Sequence, residues 1–236
     1  MCFAMTSLWP ALPSKPSRAD RLLRPLRERP SAFLLGAQCI AMVALAFVGP
    51  AQRPIFSLVG LVILLLAIIT VRATPALTWI SGFIALPALI LELWSIRDPG
   101  HVAVFVAAHS LLAIFYFYVG YALIAYVFDD HWVTRDELFA VGAAFTVITW
   151  AFAYVFLVVQ ELQPGSFAAY SGPEGSRTFH DLLYLSVANF TSVGLSDILP
   201  IRPVARAVGM IEQLCGVLYV AMVISRLVSL SVLRRV

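Results

Sequence analysis

Charge is scarce in this chain. Of 236 residues only 12% are Asp, Glu, Lys or Arg, while 61% are hydrophobic and the mean hydropathy is +0.91. A soluble domain carries about 25% charged residues. The shortage excludes a cytosolic globular enzyme and a disordered regulator, and makes lipid the solvent for most of the chain. Cysteine is scarce too. Cys2, Cys39 and Cys215 are scattered and none lies in a C-x-x-C pair, which excludes a disulfide framework and gives no start to a zinc or redox site. Asp129, Asp130, His131 and Asp136 cluster in sequence, but without a metal-binding spacing they read as a solvated connector. No G-x-S-x-G elbow accompanies Ser110 or Ser186, so an intramembrane serine hydrolase lacks its nucleophile turn and no enzyme is expected.

What the chain has is long apolar runs. About 20 apolar residues cross a hydrocarbon core of roughly 30 Å. Ala32–Val48, Ile55–Val71, Pro75–Trp94, Val102–Phe128, Leu138–Val159 and Ala205–Leu233 approach or exceed that length. A shorter apolar piece, Phe179–Phe190, is followed by irregular sequence and reads as a re-entrant helix, since irregular backbone at membrane depth needs protein or water to satisfy it. The expected fold is an all-α integral membrane protein of six transmembrane helices plus this re-entrant helix and its loop. Lys15, Arg18, Arg21, Arg24, Arg27 and Arg29 precede the first span. That cluster sets both termini in the cytoplasm of a multi-pass protein of the plasma or inner membrane. It also makes anionic lipid a candidate partner beside the bulk membrane lipids, with no nucleic acid implied. The expected units are a basic segment at 1–31, a four-helix scaffold at 32–128, a cytoplasmic linker at 129–137, a second membrane unit at 138–233 and a short tail at 234–236.

Voltage sensing requires several basic residues along one span. Val102–Phe128 contains no Lys or Arg, and its one ionisable group of physiological range is His109. His109 is a candidate pH-sensitive residue, against the plainer reading of a hydrogen-bonded packing histidine. Glu92 is expected to reach the outer interface. Glu212 is expected behind the re-entrant loop, paired with Arg206 or supporting the loop. Arg226 is expected to snorkel toward the cytoplasm. Gly60, Gly82 and Gly120 are expected at close helix contacts between subunits.

The chemistry concentrates in Thr191-Ser192-Val193-Gly194-Leu195-Ser196-Asp197. Thr178 and Asp181 have the spacing of a capping box at the start of the short helix. The helix C-terminus, its negative end, then meets the loop and favours a cation there. Extended backbone carbonyls can replace the hydration shell of a monovalent ion, and the Ser192 hydroxyl adds an oxygen. The N-x-T sequon at Asn189 sits against this loop, where a sugar has no room.

The loop resembles the filter of the potassium channel family, T-x-V-G-Y-G-D, at Thr191, Val193, Gly194 and Asp197. Tyr184-Leu185-Ser186, Asp197-Ile198-Leu199-Pro200 and Leu214-Cys215-Gly216-Val217-Leu218-Tyr219 extend the resemblance over about 133–233. It implies a homotetramer around one pore, in a six-span variant. It implies a potassium-type cation held by main-chain oxygens of Ser192, Val193, Gly194 and Leu195, with no other cofactor, and a gating hinge at Gly216. Two positions depart. Leu195 replaces the aromatic that packs on the pore helix, and is expected to keep that packing. Ser196 replaces a glycine, and a residue with a Cβ loses roughly 1 kcal/mol or more in left-handed backbone. The carbonyls there are expected to face differently and selectivity to be reduced. The alternative is a channel-like protein that conducts little and acts in assembly or regulation.

Overall fold

The computed structural model describes residues 29–47, 60, 62–63, 66–67, 75–98, 100–129, 135–170 and 175–233. The basic N-terminal cluster up to Arg27, most of the expected second span, Asp130 and His131, and the 234–236 tail lie outside the described residues.

The described chain is mostly helical. Its long helices are α1 (Pro30–Leu45), α2 (Pro75–Arg97), α3 (Val102–Asp129), α4 (Arg135–Leu162) and α6 (Pro203–Leu233), with a short α5 (Phe179–Phe190) between α4 and α6. The short helix has the bounds expected of it. Asp129 closes α3, and Asp136 and Glu137 occupy the first turn of α4. There the charge of Asp136 and Glu137 favours the positive helix end, and Asp129, Asp136 and Glu137 of the expected linker are helical. Asp136 also accepts a 2.9 Å hydrogen bond from the Ser31 hydroxyl of α1.

The all-α expectation is amended in one place. Phe167–Ala169 (β1) pairs antiparallel with Ile198–Pro200 (β2), Phe167 opposite Pro200 and Ala169 opposite Ile198. Three residues per strand are too few for an alternation to register in sequence. The Tyr170 amide donating to the Asp197 carbonyl (3.1 Å) and the Ile201 amide donating to Ser166 (2.8 Å) extend the clamp.

Three helical stretches among the described residues are long and apolar enough to cross a membrane: Val102–Phe128, Asp136–Leu162 and Pro203–Arg226. They differ in burial. In their most apolar windows 67% of α4 is buried but only 22% of α6. α4 is the centre of the molecule, contacting α1, α3, α5 and α6. Its Trp150 and Phe156 are fully buried with Phe115 and Tyr116 of α3. α6 turns Met210, Ile211, Leu214, Val217 and Leu218 outward. Gly120 and Gly60 serve packing within the chain: a Cβ at Gly120 would meet Ile148, and one at Gly60 would meet the Tyr154 hydroxyl, both at 2.7 Å. Gly82 faces open space.

Candidate functional site

α5 starts where the sequence says it should. The Thr178 hydroxyl accepts from the Asp181 amide (3.2 Å) and the Asp181 carboxylate accepts from the Thr178 amide (2.9 Å), satisfying two helix-end donors reciprocally. Upstream, the Gln160 side chain on α4 accepts from the Arg177 amide (2.6 Å) and donates to the Arg177 carbonyl (3.0 Å). This two-bond brace at the helix entry has no sequence signature. Phe179 then packs on Tyr154 and Trp150, with ring centroids 4.8 and 5.3 Å away. At the other end Phe190 enters an aromatic group with Phe145 (5.1 Å) and Tyr219 (5.8 Å). Both ends of α5 are thus fixed by large side chains of α4 and α6.

The chain after Phe190 caps its own helix. The Thr191, Ser192 and Gly194 amides donate to the carbonyls of Val187 (3.0 Å), Asn189 (2.9 Å) and Ala188 (3.1 Å), and the Thr191 hydroxyl donates to Val187 (2.7 Å). The orphan carbonyls of the last turn are therefore partnered by the loop. Ser192 holds φ 57° and Gly194 φ 68°. Ser192 sits one residue beyond the C-cap, where a left-handed residue closes many helices and glycine is usual. The left-handed strain considered for Ser196 falls instead on Ser192. Ser196 stays out of that region, and its hydroxyl accepts from the Ile198 amide (3.1 Å) and lies 3.2 Å from the Ile198 carbonyl. Its side chain organises the turn into β2.

Thr191 to Leu195 lie on the surface of the single chain, with Val193 70% and Leu195 71% exposed. Leu195 therefore does not pack on the α5 of its own chain. Asp197 is exposed too, with its carbonyl held by Tyr170. The Gly194 carbonyl accepts from the Ser196 amide at 3.0 Å, which leaves one lone pair of that oxygen for another partner.

Behind the loop stands Glu212 of α6, fully buried. One carboxyl oxygen touches the Ser186 hydroxyl and the other accepts from Asn189 Nδ2 at 3.0 Å. It does not pair with Arg206, whose guanidinium donates to Pro200 O (3.2 Å). The buried sequon residue Asn189 is spent on this contact. Gly216, a turn lower, lies against the main chain of Phe190. The sequence placed Glu212 near the loop; the partners Ser186 and Asn189 were not legible, although the i, i+3 spacing that puts them on one helix face was present.

His109 stands apart from this group. Its Nδ1 hydrogen-bonds the Phe105 carbonyl (2.8 Å), its ring stacks on Phe105 (4.0 Å), and its Nε2 is 3.9 Å from Glu92 Oε2. Glu92 is buried and that oxygen has no hydrogen-bond partner. The expectation that Glu92 reaches the interface is corrected: the α2 face carrying it turns toward α3. Arg226 reaches along α6 to the end of α3. Its Nε donates to the Val127 carbonyl (3.3 Å) and its guanidinium lies over Phe128 at 5.6 Å, cationic charge against the negative end of α3.

Searches of curated proteins and of solved structures give no match. Residues 142–232, which span most of α4, all of α5, the loop and nearly all of α6, match the family described as "Ion channel". With the three helices long and apolar enough to cross a membrane, that match makes the C-terminal part of the chain similar to ion-channel domains and supports an ion-channel function in a membrane.

Proposed function

We propose that the chain is one subunit of a homotetrameric channel that passes monovalent cations, potassium foremost, through a pore lined by the loop from Thr191 to Asp197. The observation that carries the reading is the backbone alternation, with Ser192 and Gly194 at positive φ and Val193 and Leu195 outside that region. Such alternation turns successive peptide units the same way, so that amides gather on one side and carbonyls on the other. Main-chain oxygens of Ser192, Val193, Gly194 and Leu195 then replace water around a cation. One chain supplies one such strand, and a ring requires copies. The exposed Val193, Leu195 and outer face of α6 are the surfaces those copies and lipid cover. In this arrangement six spans carry both termini to the cytoplasmic side, and Asp197 marks the outer mouth.

The outermost site is weakened. The Gly194 carbonyl is shared with the Ser196 amide, and Ser196 does not continue the alternation. This favours modest potassium selectivity, and it is also the feature behind the second reading, a weakly conducting assembly partner. Purified protein in liposomes, tested for potassium and sodium flux, separates the two. Potassium flux abolished by Gly194→Val supports the pore; an intact tetramer with no flux under any gradient supports the partner. Ser196→Gly is expected to raise the potassium-to-sodium ratio, and an unchanged ratio counts against the outer-site argument.

A further inference from the structure

Three helices meet at a buried polar junction whose hydrogens can be counted. Ser186 Oγ on α5 lies 2.8 Å from the Thr149 carbonyl of α4 and also touches Glu212 Oε1 of α6. A serine hydroxyl owns one hydrogen, and it faces two acceptors. Asn189 Nδ2 donates to Glu212 Oε2 at 3.0 Å and contributes nothing to the Ser186 contact. Sharing the one Ser186 hydrogen weakens both contacts; both are full two-centre hydrogen bonds when Glu212 brings a hydrogen of its own. Ser186 then donates to Thr149, Glu212 donates to Ser186, and Asn189 donates to the remaining Glu212 oxygen. Among the described residues no cationic side chain pairs with Glu212, and a buried carboxylate without a counter-charge carries a large desolvation cost.

We infer that Glu212 is held as a carboxylic acid and serves as a positioning residue for the ion-conducting loop. The route is short. Asn189, held by Glu212, offers its carbonyl to the Ser192 amide, and the neighbouring Ala188 carbonyl receives the Gly194 amide. Shifting Asn189 shifts the two left-handed residues of the loop. The inference rests on the permeation reading for its effect on ions, but not for the state of the carboxyl group.

The test uses the full chain in liposomes with wild type, Glu212→Gln and Glu212→Leu. Infrared difference spectra of wild type against Glu212→Gln are expected to show the C=O stretch of one protonated carboxylic acid, downshifted in D2O. Carboxylate bands in its place overturn the inference whatever the flux. Glutamine supplies the same donor and acceptor and is expected to hold the potassium-to-sodium ratio within about twofold, whereas leucine orphans Ser186 and Asn189 and changes the ratio about tenfold. An unchanged ratio in Glu212→Leu overturns the positioning role. If Glu212→Leu does not assemble, Ser186→Ala replaces it: a displaced acid band with an altered ratio supports the inference, and no change in either overturns it. A wild type that passes no ions defeats the permeation reading, and the infrared spectrum still decides the state of Glu212.

Discussion

Gly216 of α6 lies against the main chain of Phe190, the last residue of α5. A Cβ on Gly216 would overlap the Phe190 carbonyl oxygen and approach its carbon to 2.7 Å and its Cα to 3.0 Å. The obstacle is backbone fixed by the helix and by Phe190's aromatic neighbours, so it cannot swing aside. α6 runs through this point unbroken. The resemblance that suggests a hinge and the contact that forbids a side chain select the same residue for different reasons. Gly216→Ala is expected to lower stability by about 1–3 kcal/mol through overpacking, read as an earlier melting transition and loss of the assembled particle. A variant that assembles and melts like wild type, with only its open time altered, would leave the hinge as the sole role.

Ser192 combines a conformation that suits glycine with a hydroxyl the proposed pore uses. Ser192→Gly is expected to stabilise the fold by about 1 kcal/mol, because the left-handed penalty is removed. The same change deletes the hydroxyl at the inner end of the loop. Potassium-over-sodium discrimination should therefore fall as melting temperature rises. If both rise together, the hydroxyl is not a ligand and Ser192 is only a helix stop.

How much of this was legible depends on range. The extent of α5, its capping box and the special loop after it follow from local signals: Thr178, Asp181, an apolar dozen and Gly194. The strained residue was not legible, because a glycine-for-serine comparison draws the eye to Ser196, whereas the helix terminus decides that Ser192 takes the positive φ. Glu92 was misread, and the partners of Glu212 were missed, for another reason. In sequence a lone carboxylate reaching headgroups looks the same as one buried against a neighbouring helix. Only the partners, His109 in one case and Ser186 with Asn189 in the other, distinguish them, and these lie on other helices.

Voltage dependence should be shallow. Each charge carried across the membrane contributes about 2.3 kcal/mol per 100 mV, and steep gating needs several per subunit. α3 has no Lys or Arg between Val102 and Asp129. Arg226 is tied to Val127 and Phe128, so it is not disposed to move. A conductance–voltage curve from planar bilayers should change by less than about tenfold over 100 mV. A steeper curve would require a gating charge outside α3 and would overturn the assignment of the first helices as scaffold.

His109 of α3 and Glu92 of α2 face one another in the core without a hydrogen bond. His109 Nδ1 is committed to the Phe105 carbonyl, leaving Nε2 toward an unpartnered Glu92 oxygen at 3.9 Å. The neighbouring polar groups are the phenols of Tyr116 and Tyr154. Glu92→Gln places an amide donor opposite His109 Nε2 and is expected to raise stability by about 1 kcal/mol, read as a later melting transition. A variant that melts like wild type or earlier would leave His109 only its stack on Phe105 and its bond to the Phe105 carbonyl.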